Sequence, residues 1–142
     1  MPISEAEYGW TISFEDAVIS ALEIDFRFGI RMDDDPHGAV KVIIETPFSI
    51  CEPGKDEQAF DPARTQSLAE ALKILNAGVS SVIAQKDGRL TVNLLNGLKI
   101  KAGPNEDYES WHVILEGHYV LTCGPGAGVA LFTDNNNPLA SK

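Results

Sequence analysis

The sequence is short of several things, and each shortage narrows its reading. Only two cysteines, Cys51 and Cys123, occur in 142 residues. They lie far apart without metal-type spacing, so two reduced, packed thiols are expected rather than a disulfide framework or a zinc site. The N-terminus, MPISEAEYGW, has no basic stretch and no apolar core. No hydrophobic run approaches the roughly 20 residues of a membrane span, so the expected location is cytoplasmic. GxSxG, CxxC and HExxH are all missing, and the carboxylates fall in no pattern that assigns acid and base roles; the expectation is a protein that is not an enzyme. Basic residues are scarce too, 11 against 21 acidic ones, for a formal charge of −10. Residues 1–61 hold 14 of those acids against only Arg27, Arg31, Lys41 and Lys55, while the remainder is balanced. Such a chain is not expected to bind nucleic acid or a membrane surface, and its favoured partner is a protein with a basic surface.

What is present reads as one domain over 1–142, with an ordered core at about 8–132 and a polar tail at 133–142. The chain is organised around its last third. Glu109–Glu116 and His118–Cys123 are rich in Trp, Val, Ile, Leu and Tyr, and the link between them contains Gly117, which predicts a hairpin. With Glu116 and Gly117 as the turn, Leu115 faces His118, Val113 faces Val120, and Trp111, Val113, Val120 and Thr122 share one side. Both sides are largely apolar, which fits strands covered on two faces or one face left as an interface.

Upstream, Leu22–Met32 alternates apolar and polar residues as one long strand or as two joined near Asp25. Asp33–Gly38 reads as a turn and Val40–Glu45 as a strand. Asp61 and Pro62 stand as N-cap and first helical residue, and Leu68, Leu72 and Leu75 recur at helical spacing before Gly78, predicting one principal helix with Gln66, Glu70 and Lys73 on its solvated side. An Asp87-Gly88 turn sets Ile83 opposite Val92. A three-residue loop at Leu95-Asn96-Gly97, with Gly97 left-handed, keeps Lys99 and Lys101 in solvent. An echo at an offset of 62 sets Asp25, Arg27, Phe28, Ile30 and Met32 against Asp87, Arg89, Leu90, Val92 and Leu94, suggesting two related β units. The expected fold is α+β: an antiparallel β-meander sheet of about six to eight strands with one principal helix.

Candidate chemistry is thin. Asp33, Asp34 and Asp35 fail as a calcium loop, because the fifth position from Asp33 is His37 and the twelfth is Ile44. His112 and His118 fall on opposite sheet faces in the hairpin above, so no zinc pair forms. Gly124-Pro125-Gly126-Ala127-Gly128 opens onto no helix and reads as a turn or bulge rather than a phosphate cradle. Neither metal nor cofactor is therefore expected. Glu106, Asp107, Tyr108, Glu109 and Trp111, with Asp33, Asp34 and Asp35, are the candidate partner-binding residues: aromatic anchors beside acids that would read a basic partner. For Trp111, energetics favour a core position instead.

The order TPFSI, helix, DGRLTV, NGLKI, DYESW and PGAG resembles a family of small, uncharacterised bacterial domains, typical of actinobacteria, over Val18 to Phe132. That family is marked by Asp-Tyr-Glu-x-Trp and a terminal Pro-Gly-rich strand; here Ala127 interrupts the usual run of glycines and Phe132 stands where Trp is usual. The resemblance implies a non-enzymatic protein similar to immunity proteins that neutralise polymorphic toxins. The alternative is a small-molecule-binding module, or an enzyme whose site is assembled only in the fold; homo-oligomerisation stays open.

Overall fold

The computed structural model describes residues 3–34 and 38–133. Its strands are β1 (Ile3–Ala6), β2 (Gly9–Ile24), β3 (Phe28–Asp34), β4 (Gly38–Ile44), β5 (Phe48–Cys51), β6 (Gln58–Phe60), β7 (Gly78–Gln85), β8 (Leu90–Leu94), β9 (Lys99–Ala102), β10 (Trp111–Leu115), β11 (Tyr119–Cys123) and β12 (Val129–Thr133). They form one antiparallel sheet in the order β12-β11-β10-β4-β3-β2-β7-β8-β9-β5-β6, with β1 beside β2. The α+β expectation is thereby corrected: the protein is mostly β, and the principal helix is a ten-residue 3-10 helix, Thr65–Ile74. Its buried residues are Leu68, Ala71 and Ile74, three apart as a 3-10 turn requires, whereas Leu72 and Leu75 are exposed. The segment LAEALKIL satisfies either period, and the packing against β2 and β6 selects the shorter one. Gly78 is not the helix stop but the first residue of β7; left-handed Asn76 makes the turn, donating its N–H to the Ile19 carbonyl.

The strand order has a local twofold. The meander β2-β3-β4 meets the meander β7-β8-β9 through β2 and β7, with the axis at the Val18–Gly78 pair: Ala17 opposes Val79, and reciprocally Ile19 donates to the Ala77 carbonyl. The hairpin that follows β4 does not extend it; β5-β6 adds to β9, while β10-β11 adds to β4. Each meander is completed by a hairpin from the other unit. The 62-residue echo falls on equivalent places in the β2-β3 and β7-β8 hairpins, each with an Asp–Arg ion pair at its tip.

A bend in β2, between Ser13 and Ala17, folds the sheet on itself into a first half (the end of β2, β3, β4, β10–β12) and a second (β7–β9, β5, β6). Their inner faces share one core. Phe28 of the first half stacks on Phe48 of the second at 4.9 Å, and Trp111 in β10 donates its indole N–H to the Gly88 carbonyl at 2.8 Å. The 3-10 helix adds Leu68, Ala71 and Ile74 to that core. Among the described residues no helix is long and apolar enough to cross a membrane.

Turn lengths decide which residues face inward. The Leu95-Asn96-Gly97 loop has Gly97 at φ +93°, Val92 opposite Ile100, and Lys99 and Lys101 outside, as the alternation requires. Two other registers differ by one residue from the sequence expectation. Leu115 opposes Tyr119, leaving Glu116, Gly117 and His118 as the turn, so Leu121 and Cys123 rather than Val120 and Thr122 join Trp111 inside. Val82, not Ile83, opposes Val92, so Ile83 pairs with Thr91 on the outer face. Leu22–Met32 is two strands, turned at Asp25–Arg27.

Candidate partner-binding surface

The structure does not gather the candidate residues into one patch. Asp33 and Asp34 end β3 beside the β10-β11 turn, where Arg31 bridges to Glu116 at 2.9 Å. Asp33 is held by the Ser20 hydroxyl and Arg31. Asp34 is fully buried, its Oδ1 accepting from the Asp16 amide at 3.0 Å and its Oδ2 without a hydrogen-bond partner among the described residues; it cannot meet a partner. Asp35 lies outside the described residues. Glu106, Asp107, Tyr108 and Glu109 lie at the opposite end of β10, roughly 14 Å away at the usual strand rise, and all four are exposed. Asn105 shapes their loop, accepting from the Asp107 amide at 2.8 Å through its side chain and from Gly126 through its carbonyl. Trp111 is not a surface anchor: its side chain is fully enclosed in the core, between the two half-sheets. Cys123, opposite it, is also enclosed, and burial pushes its thiol pKa up.

The hairpin exchange sets the acids of the β10–β12 segment beside those of the β2–β4 meander. Residues 17–34, 38–45 and 103–133, the described residues of the first half-sheet and its loops, hold nine acidic residues against three basic ones; residues 46–102 hold six against seven. All three of those basic residues are already in ion pairs: Arg27 with Asp25, Arg31 with Glu116, and Lys41 with Glu23. On the outer face of this half, Ile114, Val120 and Phe132 form a cross-strand row, with Ile43 and His112 in the adjoining one. Phe132 is 55% exposed. Nothing charged interrupts that row until Lys41.

At the Tyr108 end stands a residue the sequence reading passed over. Phe26 tips the β2-β3 hairpin at φ +71° and is 76% exposed. A left-handed conformation costs a bulky residue about 1–2 kcal/mol, and strain of that kind collects at functional positions. Because Phe28, Ile44 and Trp111 are successive cross-strand partners, Phe26, Glu45 and the Tyr108 loop occupy the same end of neighbouring strands.

Glu45 begins a compact polar group there. His112 Nε2 is 2.7 Å from Glu45 Oε2 and 3.8 Å from Glu109 Oε1, and its Nδ1 is 3.1 Å from the Thr122 hydroxyl. The Glu45 amide donates to the Ser110 carbonyl at 2.8 Å, which ties the end of β4 to the start of β10. His118 takes no part in this group; it sits in the β10-β11 turn.

With this surface described, comparison places the chain among known sequences. A family model matches residues 10–133, from Trp10 in β2 to Thr133 in β12. The chain belongs to DUF6188, a family of unknown function. The matched span takes in both half-sheets and every surface residue named above, while β1 precedes it. No curated protein and no solved structure matches the chain.

Two of the surface residues have no usable local signal. Glu45 and His112 are 67 positions apart and meet only through the β4-β10 pairing. Phe26 has a trace in the sequence, as an aromatic next to Asp25 where the two-strand reading of Leu22–Met32 needs a turn and where such a residue fits poorly.

Proposed function

We infer that the protein is a non-enzymatic binding domain whose first half-sheet docks a protein with a basic surface, and that this partner is a toxin which the domain neutralises. One observation carries the reading: the half-sheet that gathers nine acids against three paired basic residues is also the one that leaves Ile114, Val120 and Phe132 outside and presents Phe26 and Tyr108 at its end. Acidic fields speed encounter with a basic cleft, and exposed aromatics slow departure once water is excluded. A toxin acting on nucleic acid needs a basic cleft, and an acidic protein can fill it without offering a scissile bond.

The test is co-purification with the product of the adjacent gene, followed by binding kinetics at two salt concentrations. Glu106→Lys with Asp107→Lys should slow association about tenfold at low salt and flatten its salt dependence, whereas Phe26→Ala and Tyr108→Ala should mainly speed dissociation. A neighbour that is not toxic, or that fails to associate at micromolar concentration, removes the toxin reading.

One observation favours a second reading, a small-ligand module. Ile3, Trp10, Tyr119 and Leu131 line a cleft of about 170 Å³ where β1 approaches the β11-β12 edge. Glu5, ion-paired with Lys86, adds a carboxylate to the lining, so the cleft suits a mostly apolar ligand carrying one hydrogen-bond donor.

A further inference from the structure

We propose that Glu45, Glu109 and His112 form a binding site for one borderline divalent transition metal ion, of which zinc is the type. One donor atom from each lies within 4.8 Å of the other two. An ion held at about 2.1 Å from each donor in tetrahedral geometry separates them by roughly 3.4 Å; the two distances from His112 Nε2, 2.7 and 3.8 Å, bracket that value. The Glu45–Ser110 backbone hydrogen bond already ties the end of β4, where Glu45 stands, to the residue between Glu109 and β10.

The imidazole is oriented for the task. His112 Nε2 faces both carboxylates and Nδ1 meets the Thr122 hydroxyl; a metal ion would replace the proton shared between Nε2 and Glu45, and the ring would then keep its other proton on Nδ1, donated to Thr122. One nitrogen and two carboxylates suit zinc, cobalt or nickel; calcium needs six or more oxygens. Two anionic ligands in the acidic half-sheet also attract a dication. Partial exposure of all three side chains leaves the fourth position to water or to a donor from a bound partner.

The twofold supplies an internal control. Trp111 pairs with Ile44 and Cys123 as Phe48 pairs with Ala102 and Phe60, so the counterparts of His112, Thr122 and Glu45 are Ser49, Ala59 and Gly103. The same sheet geometry closes there with no ligand set; the fold does not require the His112 group.

The proposal stands on this geometry and is independent of the partner reading. Calorimetric titration of the purified full chain with zinc chloride should show one ion per chain with micromolar affinity, and cobalt(II) should give the strong visible absorption of a tetrahedral site. His112→Ala and Glu45→Gln should each lower affinity at least tenfold. Exposed Glu109→Gln, which removes no packing, should lower it too, and Thr122→Val should weaken binding about tenfold by freeing the ring. Calcium should give no heat. Absence of zinc binding at millimolar concentration, or binding that survives both His112→Ala and Glu109→Gln unchanged, overturns the proposal; the toxin-association assay on metal-free protein reads the partner hypothesis separately.

Discussion

The two hairpin tips, Asp25-Phe26-Arg27 and Asp87-Gly88-Arg89, occupy equivalent places in the twofold and are treated in opposite ways. Both carry an Asp–Arg ion pair and both need a left-handed middle residue. The second unit meets that need with glycine and then covers it: Pro104 and Ala127 stand over Gly88, and the Trp111 indole binds its carbonyl. The first unit places an exposed phenylalanine there. Where only the fold is served, the chain uses the residue that fits the backbone; where a bulky residue is held in a costly conformation and left bare, another requirement is at work. The outer faces differ in the same sense. The second half shows Ser49, Thr91, Asn93, Lys99 and Lys101 around a single half-buried Ile83, a mostly polar face, against the Ile114, Val120 and Phe132 row of the first.

Exchange of hairpins makes the halves mechanically inseparable, and the largest effect should come from testing that. Ile30 and Val92 are equivalent, fully buried residues. Ile30→Asp or Val92→Asp leaves a carboxylate in the shared core at a cost of several kcal/mol, against a typical total of roughly 5–15 kcal/mol. Each should abolish the near-ultraviolet circular dichroism of both tryptophans together. Retention of native signal from one half would break the exchanged architecture. By contrast, Ile83→Asp on the outer face should cost no more than about 1 kcal/mol in urea unfolding, while Val82→Asp should unfold the chain.

Reciprocal exchange of the tips gives the next effect. A Cβ at Gly88 would come within 2.8 Å of Pro104 and would be held at φ +96°, so Gly88→Phe should lose about 2–4 kcal/mol. Phe26→Gly should be neutral to within about 1 kcal/mol, relief of strain offsetting the entropy of glycine, yet it should weaken partner binding. If Phe26→Gly instead unfolds the protein, Phe26 is structural and the contrast between the tips loses its meaning.

What the sequence disclosed follows the same logic of contrast. The β8-β9 register was legible because a slip would bury Lys99 and Lys101. No such contrast exists at Val82-Ile83 or Val120-Leu121, where neighbouring residues are both apolar, so an extra turn residue at each hairpin passed unseen. The helix was misread because Leu68 satisfies both the α and the 3-10 period, and only packing discloses that Ala71 and Ile74 complete the buried stripe. Trp111 was readable as core from its size alone. The Glu45–His112 pair was not readable at all, since it depends on a hairpin of the second unit adding to the first.

The smallest effect concerns the feature the tips share. A hydrogen bond from the Arg27 guanidinium holds the Asp25 carboxyl below its ordinary value of 3.8, and Arg89 does the same for Asp87. Unfolding restores the ordinary value, so each pair contributes stability that is present above about pH 4 and is lost as pH falls through the lowered folded value. Both carboxylates are more than half exposed and screened by solvent, which keeps the contribution small. Arg27→Ala and Arg89→Ala should therefore lower the melting temperature slightly and equally at pH 7, and both differences should close in acid. Added salt at pH 7 should shrink them too. A larger loss for Arg89→Ala that persists at low pH would show that the covered tip uses its arginine for packing rather than charge, and would sharpen the contrast with the bare tip of Phe26.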